Sequence, residues 1–224
     1  MMKDKIDIGA IFDLDGVLIH TAQSHLEAWQ DLAAVEGFEM PEEFFYRTFG
    51  MQNYQILPDL LPPDTPRKEI DRMSDWKEHR YRQIVTDRLV PADGVVELLE
   101  DLKKAAFRLA VGSSAPRANV ELMLGQAGLM GYFDALVSGE DVSNGKPHPE
   151  TFTTAGGKLM LSPDRCVVVE DAAQGVEAGK AAGMAVIAVT STRTREQLAR
   201  ADRVVDSLAE IKARDFGQLV GPIV

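Results

Sequence analysis

IFDLDGVL, residues 11–18, ends an apolar run with two aspartates one residue apart and then a glycine. Placing two like charges there costs free energy, through burial and through mutual repulsion. Side chains of an extended chain alternate sides. If the strand continues through residue 15, Asp13 and Asp15 face one way and Leu14 the other. Gly16 then lets the chain turn. Two carboxylates on one side of a strand end suit a hard cation such as Mg²⁺, or a nucleophile working beside an acid. They would also arise as solvated turn aspartates, because Asp-Gly is a common turn pair. The rest of the chain has to decide.

Short β-type runs recur at 6–12 (IDIGAIF), 107–112, 134–139, 165–170, 185–190 and 202–207. Helix-period segments lie between them at 94–105, 115–128, 148–160, 172–183 and 194–201. Strand–helix alternation with continuous apolar strands predicts an α/β fold with a doubly wound parallel sheet covered on both faces. From about Thr21 to Arg88 the rhythm breaks and no strand is expected. TAQSHLEAWQDLAAVEGF reads as an amphipathic helix stopped by Gly37, followed by helices in PEEFFYRTFG, MQNYQILPDLL and TPRKEIDRMSDWKEHRYRQIVTDRL. The expected organisation is a core of residues 1–19 and 90–224 with an all-helical cap of residues 20–89 inserted after the first strand.

Three more strand ends carry chemistry-bearing residues. Ser113-Ser114 precedes Pro116, a helix-start signal, so the hydroxyls either hold a phosphate at a helix N-terminus or simply cap it. Lys146 sits between Gly145 and Pro147, opening another helix. Glu170-Asp171 ends an apolar strand; acids there favour the helix dipole, yet they are a second acidic pair. Four ionised carboxylates in one crevice would repel strongly at low dielectric. Lys146 supplies one positive charge, so the group is tolerable only with a bound divalent cation or with some carboxyls protonated.

The formal net charge of −11 argues against a broad nucleic-acid footprint, and any anionic substrate must be drawn by a local positive site. The single cysteine, Cys166, lies in CVVVE and reads as a core residue. Asp13 and Asp15 interrupt the N-terminal apolar run, and no run approaches membrane-spanning length, so a cytoplasmic monomer is expected.

DLDGV, a Ser after the second strand, GKP, and ED followed by a glycine-spaced helix ending AAGM resemble, in order, the four motifs of the haloacid dehalogenase superfamily of phosphotransferases. The match spans nearly the whole chain. The resemblance implies a Rossmann-like core and a Mg²⁺-dependent phosphatase acting on small phosphorylated metabolites. Asp13 is then the nucleophile, Asp15 the general acid/base, and Ser113 and Lys146 the holders of the phosphoryl oxygens. Asp13, the backbone carbonyl of Asp15 and Asp171 would ligate Mg²⁺, with Glu170 supporting that shell. Within the superfamily, SHLEAW is similar to the cap opening of the β-phosphoglucomutase-like group, which also contains sugar-phosphate phosphatases. His25 matches a hinge histidine and Lys77 a substrate-contacting cap lysine. Lys77 also falls on a stripe with Ile70, Met73, Tyr81 and Ile84, where it either snorkels or faces a wet cleft. The cap arginine that mutases of this kind use for a second phosphate is missing, since GMQNYQ offers Asn53 there. Ser114 and Arg117 are the remaining candidates for substrate contact. His20 replaces a usual Asp, and His79 and His148 read as solvated and helix-start residues. Hydrolysis is therefore expected, with β-phosphoglucomutase activity as the rival.

Overall fold

A computed structural model of the chain describes residues 7–86 and 88–220. Its elements run, in chain order, β1 (Gly9–Phe12), β2 (Ile19–His20), α1 (Ala22–Glu36), α2 (Glu42–Thr48), α3 (Asn53–Ile56), α4 (Arg67–Val85), β3 (Val90–Pro91), α5 (Val95–Lys104), β4 (Arg108–Gly112), α6 (Arg117–Gln126), β5 (Ala135–Val137), α7 (Glu150–Lys158), β6 (Cys166–Glu170), α8 (Ala173–Ala181), β7 (Ala185–Val189), β8 (Arg203–Val205) and α9 (Ala213–Leu219). Six strands form one parallel sheet in the order β5-β4-β1-β6-β7-β8. The strand order reverses at β1, which is paired with β4 on one side and β6 on the other.

The apolar strands are continuous because both sheet faces are covered. On one face Phe12 packs with Leu98 and Leu99 of α5, Met123 of α6 and Phe216 of α9. On the other, Ile11 packs with Phe152 and Ala155 of α7 and Val176 of α8. Each such fully buried side chain contributes about 1.5–3 kcal/mol of transfer free energy. Cys166 is wholly buried in β6, as a core cysteine should be.

Helices α1–α4 lie between β2 and β3, which pair antiparallel through Ile19 with Pro91 and His20 with Val90. Gly37 ends α1 in the left-handed conformation (φ 79°) that glycine adopts without cost. A third apolar cluster, including Leu26, Trp29, Leu32, Phe45, Phe49 and Met73, belongs to this helical layer.

The structure corrects two expectations and decides one condition. The first strand ends at Phe12, as its apolar run does, and does not continue through Asp15; its expected start at Ile6 lies outside the described residues. Beyond it the chain folds into a tight turn, with Gly16 N–H donating to Ile19 O and Leu18 N–H to Leu14 O. Residues 51–61 are not one helix, because Pro58 lacks an N–H; one turn of α3 gives way to a 3₁₀ turn at Leu57–Asp59. Residues 194–201 form turns rather than a helix. That segment buries Leu198 alone among large apolar side chains and ties Arg195 to Val204 O and Asp206, too little to offset helix nucleation. Helix α9 follows the last expected strand. No helix of the described residues is long and apolar enough to cross a membrane.

Candidate active site

The sheet delivers its chemistry at one edge. Asp13 and Asp15 follow β1, Ser113 and Ser114 follow β4, Gly139 and Lys146 come after β5, Glu170 and Asp171 end β6, and Ser191–Arg193 follow β7. These are the carboxyl ends of the strands flanking the point of order reversal, where open α/β sheets place their ligands.

Lys146 is the hub of the first group. Its Nζ lies 2.8 Å from Asp13 Oδ1 and 2.5 Å from Glu170 Oε1, all three side chains being buried. Burial disfavours the ammonium, but Asp13 and Glu170 outweigh it and hold its pKa above the ordinary lysine value. Burial pushes the Asp13 carboxyl up to about 7; Lys146 opposes this, while Glu170 and Asp15 add to it. Burial also drives Asp171 well above the carboxylate range, helped by Glu170 and Asp13 and resisted by Thr192 and Arg193. Ligand oxygens of Asp13, Glu170 and Asp171 fall within 4.8 Å of one another. Glu170 Oε2 is already occupied by the N–H groups of Asp171 and Ala172, at 2.8 Å each. Asp171 Oδ1, by contrast, is buried with no partner. Two glycines make the room: a Cβ on Gly16 (φ 82°) would overlap the Asp171 carboxylate, and one on Gly175 would overlap that of Glu170. A carboxylate cluster with more negative than positive charge and an orphaned oxygen fits a hard divalent cation, which Asp13, Glu170 and Asp171 could hold between them.

Asp15 looks elsewhere. Its Oδ1 accepts from Thr21 Oγ1 at 2.6 Å and contacts His25 Nε2 at 3.2 Å. Burial raises its pKa, but His25, Thr21 and Lys77 together hold it below the ordinary value. The His25 ring stacks on Tyr81 at 3.7 Å, and burial beside Lys77 lowers its pKa. Lys77 does not snorkel to solvent; it stands at the cavity between the helical layer and the sheet edge. It is 2% exposed, with Nζ 2.8 Å from His25 Nδ1 and 2.8 Å from Glu78 Oε1. Glu78 also accepts from Asn53 Nδ2 (2.7 Å) and from Asn119 Nδ2 of α6 (2.5 Å).

Between the helical layer and the sheet edge lies a cavity of about 320 Å³. Asp13, Asp15, His25, Asn53, Lys77, Ser113 and Ser114 all line it, so most residues predicted from the sequence converge. Ser113 Oγ accepts from Ala115 N–H at 3.0 Å, and Ser114 Oγ is buried without a partner. Arg117 does not line the cavity; it pairs with Asp141 at 2.5 Å. His20 is exposed on β2, His79 is exposed as expected, and His148 lies exposed in the turn just before α7. Arg67 is the guanidinium at the cavity rim, largely solvent-exposed, paired with Asp71 and lying over Tyr54. The helical layer closes on core loops through Gln52 Nε2 to Gly139 O (2.9 Å) and Gln174 Nε2 to Arg47 O (2.7 Å).

Sequence reasoning missed Glu78, Asn119, Thr192 and Arg193. Thr192 Oγ1 donates to Asp171 Oδ2 at 2.5 Å, and Arg193 is buried, with Asp171 and Glu170 acting on its charge. A polar run immediately after an apolar strand, TSTR at 190–193, was the available signal for the last two.

Residues 10–189 match the haloacid dehalogenase-like hydrolase family. The validoxylamine A 7'-phosphate phosphatase of Streptomyces hygroscopicus is 31% identical over 208 residues, covering 93% of this chain and 97% of its own length. The phosphorylated carbohydrates phosphatase of Thermotoga maritima is 32% identical over 174 residues, covering 78% and 81%. Among solved structures, the β-phosphoglucomutase of Clostridium difficile superposes with a TM-score of 0.85 at 27% identity, covering 96% of this chain and 97% of that one.

Proposed function

This chain belongs to the haloacid dehalogenase-like hydrolase family, and on that premise we propose that it is a Mg²⁺-dependent phosphatase of small phosphorylated metabolites, sugar phosphates above all. The observation that carries the reading is the buried Asp13–Lys146–Glu170 group beside the unpartnered Asp171 oxygen, with Asp13 lining a cavity sized for a small metabolite. The named substrates of the phosphatase relatives supply the sugar-phosphate class.

In this reading an Asp13 oxygen attacks phosphorus and carries the phosphoryl group. Lys146 and Ser113 hold the transferring oxygens, and Asp15 passes a proton to the departing oxygen. The same carboxyl then takes a proton from the water that releases phosphate. In the structure Asp15 is held ionised; a phosphate dianion arriving beside it raises its proton affinity by like-charge repulsion. Asp13, Asp171 and the Asp15 carbonyl would hold a divalent cation, which when bound would supply charge neutralisation at the phosphoryl group. The helical residues 20–89 act as the cap that excludes water and reads the leaving group.

Phosphate release across a panel of phosphorylated metabolites tests this. Release should require Mg²⁺, stop with EDTA and return when Mg²⁺ is restored. Full activity after exhaustive chelation, or no release from any ester, overturns it. The mutase reading draws on the His25–Asp15 contact and the β-phosphoglucomutase likeness. Against it, Arg67 is exposed and already paired, a weak anchor for a second phosphate. β-Glucose 1-phosphate with a trace of glucose 1,6-bisphosphate should yield free phosphate. Fast formation of glucose 6-phosphate without it would favour the mutase.

A further inference from the structure

Buried Lys77, Glu78 and Asn119 form, with half-buried Asn53, a set that the transfer chemistry does not itself use. An ammonium has three donors and no acceptor. Lys77 Nζ therefore donates to His25 Nδ1, and a neutral ring bonded this way carries its hydrogen on Nε2, facing Asp15 Oδ1. Tyr81, stacked at 10° to the ring, and Phe49, edge-on, hold the imidazole plane. The tautomer and aim of His25 thus follow from where the ammonium sits. Trp29 and the cavity are its alternatives, since Nζ lies 5.2 Å from the Trp29 ring.

Glu78 removes that freedom. Its Oε1 takes Lys77 and the Asn53 amide, and its Oε2 takes Asn119. Asn53 and Lys77 belong to the helical layer, but Asn119 is on α6, the helix that follows Ser113 and Ser114, and is itself held by Arg82 of α4 at 2.8 Å. One oxygen of Glu78 is therefore satisfied from within the cap and the other from the core.

We propose that Glu78 is a positioning residue for Asp15, acting through Lys77 and His25, and that Asn119 makes this action depend on the cap being docked. The inference rests on Asp15 as the proton carrier. When the cap is seated, Glu78 is fixed, Lys77 points at Nδ1, and the Nε2 hydrogen holds the Asp15 carboxylate in line with the cavity. When it is lifted, Oε2 loses its core donor and the chain of contacts loosens. The acid/base is then assembled only over an enclosed substrate.

The test reads His25 directly. The chain has four histidines, so long-range ¹H–¹⁵N spectra of histidine-labelled protein resolve each ring, with His25→Asn identifying the signal. The intact protein should show His25 protonated at Nε2 and bare at Nδ1; Glu78→Gln and Asn119→Ala should both lose that pattern. In parallel, kcat/KM for the best sugar phosphate should fall about tenfold more in Glu78→Gln than kcat/KM for p-nitrophenyl phosphate, whose leaving group departs without a proton. A merely structural role would slow both esters equally. An unchanged His25 tautomer in Glu78→Gln overturns the proposal. An unchanged one in Asn119→Ala overturns its dependence on docking, and that variant decides if Glu78→Gln fails to fold. Should no ester be hydrolysed at all, the phosphatase reading fails, while the His25 spectrum still settles the contact chain.

Discussion

Around Asp13, three buried carboxylates lie together, one lysine pairs with two of them, Asp13 and Glu170, and Asp171 keeps an oxygen without a partner. Around Glu78, a few side chains away, every oxygen is matched by a donor, and the lysine beside it is matched in turn. Both groups are largely buried, and both border the cavity. The first is left electrostatically unfinished, which is what a site must be if it is to gain free energy by binding a cation and a phosphate. The second is finished, which is what a support must be if its own geometry is not to move during turnover.

The hardest way to break this contrast is at Asp13. Asp13→Asn should cut turnover by roughly 10³-fold or more, because an amide is a poor nucleophile. It should not lower the melting temperature, since it removes a charge that burial opposes. Steady-state phosphate release and a thermal melt check both halves; near-wild-type turnover would remove Asp13 from the covalent role.

In the finished network the same kind of deletion should do the opposite. Lys77→Met leaves the Glu78 carboxylate buried without its cation and should cost about 3–5 kcal/mol in urea unfolding. Adding Glu78→Gln, which removes the stranded charge, should recover most of that stability without restoring activity. If Lys77→Met alone is as stable as wild type, the network is not what holds the cap in place.

A smaller effect should follow at the edge of the unfinished site. Thr192→Val removes the hydroxyl that orients Asp171 and should weaken Mg²⁺ binding by about 10–100-fold, read by titrating activity against free Mg²⁺. The smallest is Arg117→Ala. Arg117 is tied to Asp141 and does not line the cavity, so KM should stay within about twofold of wild type; a larger rise would mean that substrate draws it in.

The two groups also differed in how far the sequence revealed them. Asp13, Ser113 and Asp171 each follow a strand end, Lys146 stands between glycine and proline in the loop after β5, and strand ends can be located from apolar runs alone. The sheet then brings them together by topology. Glu78 offers no such signal. On α4 it stands next to Lys77 in a run of charges, WKEHRYR, that reads as a solvated face. Only the packing of α4 against both α1 and the Asn119 amide of α6 turns that position inward. Lys77 was half legible, because the stripe through Met73 and Tyr81 located its side of the helix but not the partner that awaited it. The turns at 194–201 misled for the converse reason. Their composition suits a helix, and the tertiary structure gives that helix one apolar anchor, Leu198.

The chain crosses between the helical layer and the sheet twice, and both crossings run side by side as the β2–β3 pair. That short ribbon makes cap and core one molecule with two adjoining tethers, so that reseating the cap costs no translational entropy. Its landing groups meet at the high effective concentration of an intramolecular reaction. Contacts such as Gln52 to Gly139 O and Gln174 to Arg47 O, each worth about 1 kcal/mol, are then enough to favour the seated position. They are also weak enough that a product can leave without the protein having to unfold anything to release it.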